Sequence, residues 1–277
     1  MSRKIKKYYL AIIRYGLLVF IAALFVSPLI WIFLSSFKSK AEILANPWGF
    51  PSKFFLGNFA VAWVQGDLGR ILLNSTLVTF TSTILTIICA APAAYYFSRV
   101  SFRGKILYHP ILLSMVIPII VLMIPMAFLE TKLNIINTYS GLILAYVALH
   151  IPLSIFILAN FFMSLPRLLE EAALLDGACR FEILRYVILP ISKPAIFSTL
   201  SIIFILIWNE FTLALVIIAD PPLFTIPLAL KAFAGSYSYE YQLVFASLVM
   251  VNLPLILVLV FLQKHFVKGI LRGARRY

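Results

Sequence analysis

Long apolar runs alternate along this chain with short polar ones. Six runs, near 11–34, 71–97, 106–129, 140–163, 196–219 and 241–263, each reach the ~20 helical residues needed to cross a ~30 Å hydrocarbon core. Between the fourth and fifth lies a polar stretch, Ser164–Pro194, reading SLPRLLEEAALLDGACRFEILRYVILPISKP. Its acidic residues, Glu170, Glu171, Asp176 and Glu182, are balanced by Arg167, Arg180, Arg185 and Lys193. The local pattern predicts two short helices with a break. Ser164 and Pro166 suit a helix start, and Glu170 and Glu171 sit where the helix dipole favours anions. Leu168, Ala172 and Leu175 form a narrow apolar stripe at helical spacing. Gly177 is suited to a positive φ that ends the first helix. A second run, Arg180 to Leu189, is expected to stop at Pro190. A helix–glycine–helix of this kind cannot span a bilayer. It lies on the membrane surface or docks into a partner.

Composition turns these runs into a class. The 277 residues are 63% hydrophobic and 12% charged, with mean hydropathy +1.04. A soluble domain has about 45–50% apolar and 25% charged residues. The expected fold is therefore all-α, a polytopic membrane protein with six transmembrane helices in a single domain. A net charge of +13 would suit nucleic acid, but the basic residues gather at the termini and in loops flanking the runs. That is the signature of membrane topology. With the N-terminus in the cytoplasm, most of the 23 lysines and arginines fall on the cytoplasmic side. Both termini and the 164–194 stretch are then cytoplasmic. The first run follows Arg3, Lys4, Lys6 and Lys7 as a secretory signal would. Its length and lack of a small-residue cleavage site favour an uncleaved anchor.

The loops between runs carry their own expectations. Ser35–Arg70 is extracytoplasmic, with a short interfacial helix around Asn58–Val64. Asp220–Glu240 lies on the same side and holds Pro221, Pro222, Pro227 and Tyr237. Prolines inside the runs (Pro28, Pro92, Pro118, Pro125, Pro152, Pro254) either shape the bundle by kinking or mark a moving gate.

Catalytic motifs are missing. Gly104-Lys105 lacks both the preceding glycine and the following hydroxyl of a phosphate-binding loop. The three histidines, His109, His150 and His265, make no ligand set, and Cys89 and Cys179 read as isolated free thiols. No nucleophile–base constellation is present, so neither an enzyme nor a self-powered pump is indicated. Glu210 is the one carboxylate placed well within a run, beside Trp208 and Asn209. Charge at that depth faces a cavity or a partner. Two roles stay open: these residues line a substrate pathway, or Glu210 bonds a neighbouring helix. For Asn160 and Asn252, hydrogen bonding between helices is expected.

The run Glu171-Ala172-Ala173, three residues, Gly177, nine residues, then Val187-x-Leu189-Pro190 resembles the EAA loop of ABC importer permeases. Valine at 187 departs from the isoleucine preferred there. Asn74-Ser75, Arg103-Gly104-Lys105, Leu133 to Thr138, Trp208-Asn209-Glu210-Phe211, Thr225-Ile226-Pro227-Leu228 and the tail from Gln263 to Arg275 are similar to the carbohydrate-importer branch, in particular to its smaller, MalG-like subunit. The resemblance implies a type I importer permease fold with 164–194 as the coupling loop. Glu171 would pair with a basic residue of a cytoplasmic ATPase, Ala172 and Ala173 would permit close approach, and Gly177 would set the turn. Glu170, Asp176, Leu189 and Pro190 complete that docking set. Pro221, Pro222, Pro227 and Tyr237 would belong to a loop that meets an extracytoplasmic solute-binding protein. The tail would run between ATPase subunits or, with Arg275 and Arg276, meet anionic lipid.

The implied assembly is a second homologous permease, two ATPase subunits and a solute-binding protein, in a bacterial or archaeal plasma membrane. The chain itself would hold no cofactor and no metal, with Mg-ATP bound on the ATPases. The substrate would be a carbohydrate, a neutral oligosaccharide by the lack of added basic residues in the runs, and moved by alternating access. The competing readings are an ion-coupled secondary transporter, which needs intramembrane ionisable groups, and a permease for a glycerol phosphate ester.

Overall fold

The computed structural model describes residues 3–99, 102–236 and 240–274, and every regular element among them is helical. In order the α-helices are α1 (Arg3–Ser35), α2 (Lys40–Ala45), α3 (Gly57–Gln65), α4 (Leu68–Arg99), α5 (Phe102–Leu113), α6 (Ile119–Lys132), α7 (Tyr139–Met163), α8 (Leu168–Leu175), α9 (Arg180–Glu182), α10 (Leu189–Ile191), α11 (Lys193–Trp208), α12 (Thr212–Ile217), α13 (Ile226–Ser236) and α14 (Tyr241–Ala274), with short 3-10 turns at Ser114–Val116 and Pro221–Leu223. A π-helical turn, Ile183–Ile188, joins α9 to α10.

Segments Ile12–Ser35, Leu68–Arg99, Tyr139–Met163 and Tyr241–Val258 are long and apolar enough to cross a membrane. Two further spans arise only if bent pairs count as one each. The third apolar run bends by 104° between α5 and α6. Ile117 there is extended, with ψ 119°, because the ring of Pro118 disfavours the helical region for the residue before it. The fifth run is not one helix from 196 to 219. α11 starts at Lys193 and closes on Asn209, whose backbone N–H meets Ile205 O and Ile207 O, and α12 begins afresh at Thr212. The reason is local: the Glu210 carboxylate supplies acceptors for a new helix start, described below.

Two details of the polar stretch also differ from expectation. The second helical run passes through Pro190 and ends at Ser192, where the chain bends by 79° into α11. The wide π turn ahead of Pro190 takes the strain that a proline places on the carbonyl one α-turn back. Ser164 does not cap α8. It closes α7, with its hydroxyl donating to Phe161 O at 2.7 Å, because α7 runs on to Met163 and leaves its last carbonyls unpaired.

The described contacts gather into two compact units, Met1–Leu68 with Ala232–Leu253 and Gly69–Lys231 with Pro254–Tyr277. In the first, Lys38 is fully buried and donates to Asn46 O and Pro47 O at 3.0 Å each. Trp31 Nε1 donates to the same Pro47 O at 2.8 Å. Asn58 Nδ2 ties Ser36 O and Lys38 O at 2.9 Å. These bonds fold the segment between α1 and α4 onto itself, and the helix expected around Asn58–Val64 is α3. Ala62 packs with Leu243 and Ala246 of α14. From Ile12 to Ile30 the side chains of α1, Leu17, Phe20 and Phe25 among them, stand exposed, as a lipid- or partner-facing helix requires.

Among the described residues the second unit has two cores. One joins Ile87, Ala90, Ala94 and Tyr95 of α4 to Ile155, Leu158 and Phe162 of α7 and to Ile183 and Ile188 of the π turn. Alanines on α4 let the backbones approach, the usual device between helices in lipid. The other joins Val78 of α4 to Leu142 and Tyr146 of α7, Ile203 and Ile207 of α11, and Leu213 and Ile217 of α12. α4 therefore borders both cores.

Candidate functional site

Helix α8 carries the polar stretch's chemistry, and its two sides differ. Glu170 turns inward. It forms an ion pair with Arg99 at the end of α4 and accepts a hydrogen bond from Tyr95 Oη at 3.1 Å. The Arg99 and Glu170 side chains are 9% and 12% exposed. Ala173, one turn on, packs against the α4–α7 core. Glu171, Ala172 and Asp176 are exposed, as are Leu168 and Leu175, the latter 89%. The stripe read from the sequence is thus real but faces away from the bundle. An apolar strip is left outside the fold beside the exposed Glu171 carboxylate.

The end of α8 follows its residues closely. Gly177 has φ +84°. Ala178 N–H bonds Ala173 O and Gly177 N–H bonds Leu174 O, both at 3.0 Å, the two bonds of a Schellman ending. A Cβ on Gly177 would meet nothing within 4 Å, so the glycine answers to the backbone angle and not to space. After the turn, Glu182 Oε2 accepts from Cys179 N–H at 2.7 Å and caps α9. Leu189 packs against the α4–α7 core, while Pro190 sits in the short α10.

At the other end of α4 a second set of bonds holds the segment before α13. Asn74 Nδ2 donates to Pro222 O at 2.9 Å and Phe224 O at 3.0 Å, and Tyr139 Oη donates to Asn74 Oδ1 at 2.6 Å. Ser75 Oγ accepts from Ile226 N–H at 2.7 Å. Asn137, at φ +57°, accepts from Ala219 N–H and Asp220 N–H at 2.9 and 3.1 Å. Pro221 and Pro222 are exposed on this braced turn, and Pro227 lies in the first turn of α13. Tyr237 lies outside the described residues, as does the end of the tail at Arg275 and Arg276. Asn74, Ser75 and Asn137 enter the sequence reading only as parts of a resemblance. Their bonds span 65 to 151 residues, beyond the reach of any local signal.

Trp208, Asn209 and Glu210 sit together in sequence but not in role. Trp208 is buried, stacked on Phe204 with ring centroids 5.5 Å apart. Asn209 is exposed, with Nδ2 bonded back to Ile205 O at 2.8 Å. Glu210 accepts from Tyr146 Oη at 2.8 Å, from Leu213 N–H at 2.9 Å and from Ala214 N–H at 3.3 Å. The carboxylate thereby caps the start of α12, where backbone amides and dipole favour an anion. Asn160 and Asn252 bond the carbonyls of their own helices, Phe156 O and Leu248 O, at 2.7 Å. Among the described residues they do not bridge helices as expected, because an exposed amide reaches the carbonyl one turn back without leaving its helix.

One buried carboxylate lay past the sequence boundary. α6 runs to Lys132, so Glu130 is inside it, buried, with Oε2 unpaired among the described residues. It borders an otherwise apolar cavity of about 320 Å³ with Met126, Leu129, Leu144 and Ala148. Gly141 is required beside it, since an added Cβ would lie 2.3 Å from Ile135 O. The signal that would have found Glu130 is its position one residue beyond a predicted end, within the usual error of helix boundaries.

A family model described as binding-protein-dependent transport system inner membrane component matches residues 82–272. The chain belongs to this family. The permease is 32% identical over 269 residues to the diacetylchitobiose uptake system permease of Streptomyces coelicolor, covering 96% of this chain and 89% of that one. It is 35% identical over 262 residues to the trehalose/maltose transport system permease of Thermococcus litoralis, covering 92% and 93%. Among solved structures it superposes, with TM-score 0.79 and 24% identity, on a chain of a bacterial ABC transporter involved in import of the acidic polysaccharide alginate, covering 96% of this chain and 99% of that chain. The fold is that of an ABC importer permease. The permease is a membrane-embedded transport subunit and not an enzyme; in this family ATP hydrolysis belongs to a separate chain. Membership implies work beside another permease, an ATPase and a binding protein.

Proposed function

We propose that this permease forms half of the translocation pathway of an ATP-driven carbohydrate importer and that α8 is where the ATPase engages it. The observation that carries the coupling role is the two-sided α8: Glu170 and Ala173 bind the permease's own bundle, while Glu171, Ala172, Leu175 and Asp176 are presented outward. Relatives named for sugar uptake match nearly the whole chain and support a carbohydrate, taken here as a neutral oligosaccharide. Two ATPases bind Mg-ATP on their own surfaces, and a homologous permease completes the path. The two compact units then serve as one membrane domain, with α8 and both termini in the cytoplasm, as the lysine and arginine bias favours. The turn at Pro221 and Pro222, braced by Asn74, is the surface offered to a solute-binding protein, with Pro227 and Tyr237 in its continuation. Asn209, exposed at the break after α11, is the polar group offered toward substrate. Glu170 leaves the set of ATPase contacts, Trp208 is a packing residue, and Glu210 organises the bundle.

The test is uptake of labelled trehalose, maltose, diacetylchitobiose and glycerol 3-phosphate in cells lacking this chain. Loss of one sugar's uptake, restored by the wild-type chain and not by Glu171→Lys, is expected. Selective loss of glycerol 3-phosphate uptake would name the phosphate-ester reading instead. Transport by the purified chain in proteoliposomes without ATP would sink the importer assignment in favour of a secondary transporter.

A further inference from the structure

We infer that α4 is a rigid strut that ties the ATPase-docking helix at one end to the braced extracytoplasmic turn at the other. This rests on the importer reading above and names the part of the chain that carries the motion. At one end the Arg99–Glu170 ion pair and the Tyr95–Glu170 hydrogen bond fasten α8 to α4. At the other, Asn74 and Ser75 fasten the turn through Pro222 O, Phe224 O and Ile226 N–H. Both fastenings lie in one compact unit. Asn74 to Arg99 is a single helix, roughly 38 Å long at about 1.5 Å per residue, enough to cross a bilayer. It runs through Pro92 without a break, so Pro92 acts here as a fixed shape and not as a gate.

Each joint has the properties of a fixed coupling and not of a solvated contact. Arg99 and Glu170 are largely shielded from water, where a charge pair is screened little. Arg99 Nη2 is buried with no partner among the described residues, so the guanidinium has no competing carboxylate there to hold it if Glu170 leaves. The Asn74 amide is buried and uses both ends, donating twice to the turn and accepting from Tyr139. The α4 alanines buried against α7 add a close-packed flank along the shaft. A push on the exposed face of α8 therefore reaches the turn at Pro221 through one helix, without a hinge at either end.

The experiment uses the permease purified with its co-expressed partner permease and ATPases, with Cys89 and Cys179 first replaced by serine. Spin labels at Leu175→Cys and Pro221→Cys report the α8-to-turn distance, without nucleotide and after trapping with Mg-ATP and vanadate. One narrow distance, unchanged by trapping, is expected. Arg99→Gln and Asn74→Ala should each broaden it and lower the stimulation of ATPase activity by transport substrate at least about fivefold, within the range of ordinary site-to-site coupling, while unstimulated hydrolysis persists. The charge swap Arg99→Glu with Glu170→Arg should restore both readouts, which a merely folding-defective variant would not do. A wild-type distance that shifts by several ångströms on trapping, or full coupling in Arg99→Gln, overturns the strut. Absence of ATP hydrolysis by the wild-type complex removes the importer reading itself, and the strut with it.

Discussion

Tyr146 on α7 donates its phenol proton to Glu210, 64 residues further along the chain, at 2.8 Å. The same carboxylate holds the first amides of α12. One acidic side chain thus fixes where α11 ends, where α12 begins and how both meet α7. Glu210→Ala should destabilise the solubilised protein by about 1–3 kcal/mol, the cost of leaving buried partners unpaired. Tyr146→Phe should cost less, since the two backbone donors keep their acceptor. Thermal unfolding in detergent reads both. An Ala variant as stable as wild type, but defective in substrate affinity, would return Glu210 to the pathway.

Gly177 offers a cleaner separation of backbone from space. A Cβ there meets no neighbour, so Gly177→Ala should cost only the left-handed conformation, about 1–2 kcal/mol. Gly177→Asn should cost less than Gly177→Ala, because asparagine visits that region more readily. If alanine and asparagine were equal in thermal stability, the positive φ would not be what the glycine supplies.

In the first unit Lys40 Nζ meets Glu240 Oε1 at 3.1 Å. The Lys40 hydrogen bond, then that from Gln242, holds the Glu240 carboxyl below the usual carboxylate range. A depressed folded-state value means that this tie contributes above the ordinary carboxylate range and is lost as pH falls through the lowered one. Both partners are well exposed, so the effect is small and salt-sensitive. Amide exchange in α2 should quicken as pH drops from 6 toward 3, after correction for intrinsic rates, and Glu240→Gln should abolish that pH dependence. An unchanged profile in Glu240→Gln would assign it to another group.

Much of the architecture lay in the one-dimensional pattern. Twenty-residue apolar runs must be helices, because a chain in hydrocarbon has to satisfy its own backbone. Gly177 announced its turn through an angle other residues resist, and α3 followed from a short run between turn residues. Other features depend on groups distant in sequence. Nothing near Asn74 reveals that it will hold Pro222 and Phe224. Glu170 and Glu171 are adjacent and chemically alike, yet their opposite roles follow from helix rotation once Tyr95 and Arg99 are in place. The break at Asn209 has a local cause in the Glu210 carboxylate, but nothing near Glu210 reveals that the same carboxylate will be tied to Tyr146 of α7.

The sequence by itself therefore determined that the chain is a helical membrane protein, which stretches of it are apolar enough to enter the bilayer and which stretch stands apart from them, because hydrophobic length and backbone hydrogen bonding are local. Only the tertiary structure decided which face of α8 is free, which carboxylate caps and which ion-pairs, and that α4 links the two ends. Those outcomes depend on pairings between residues tens of positions apart, and burial assigns a polar group its role only once its partner has been brought beside it.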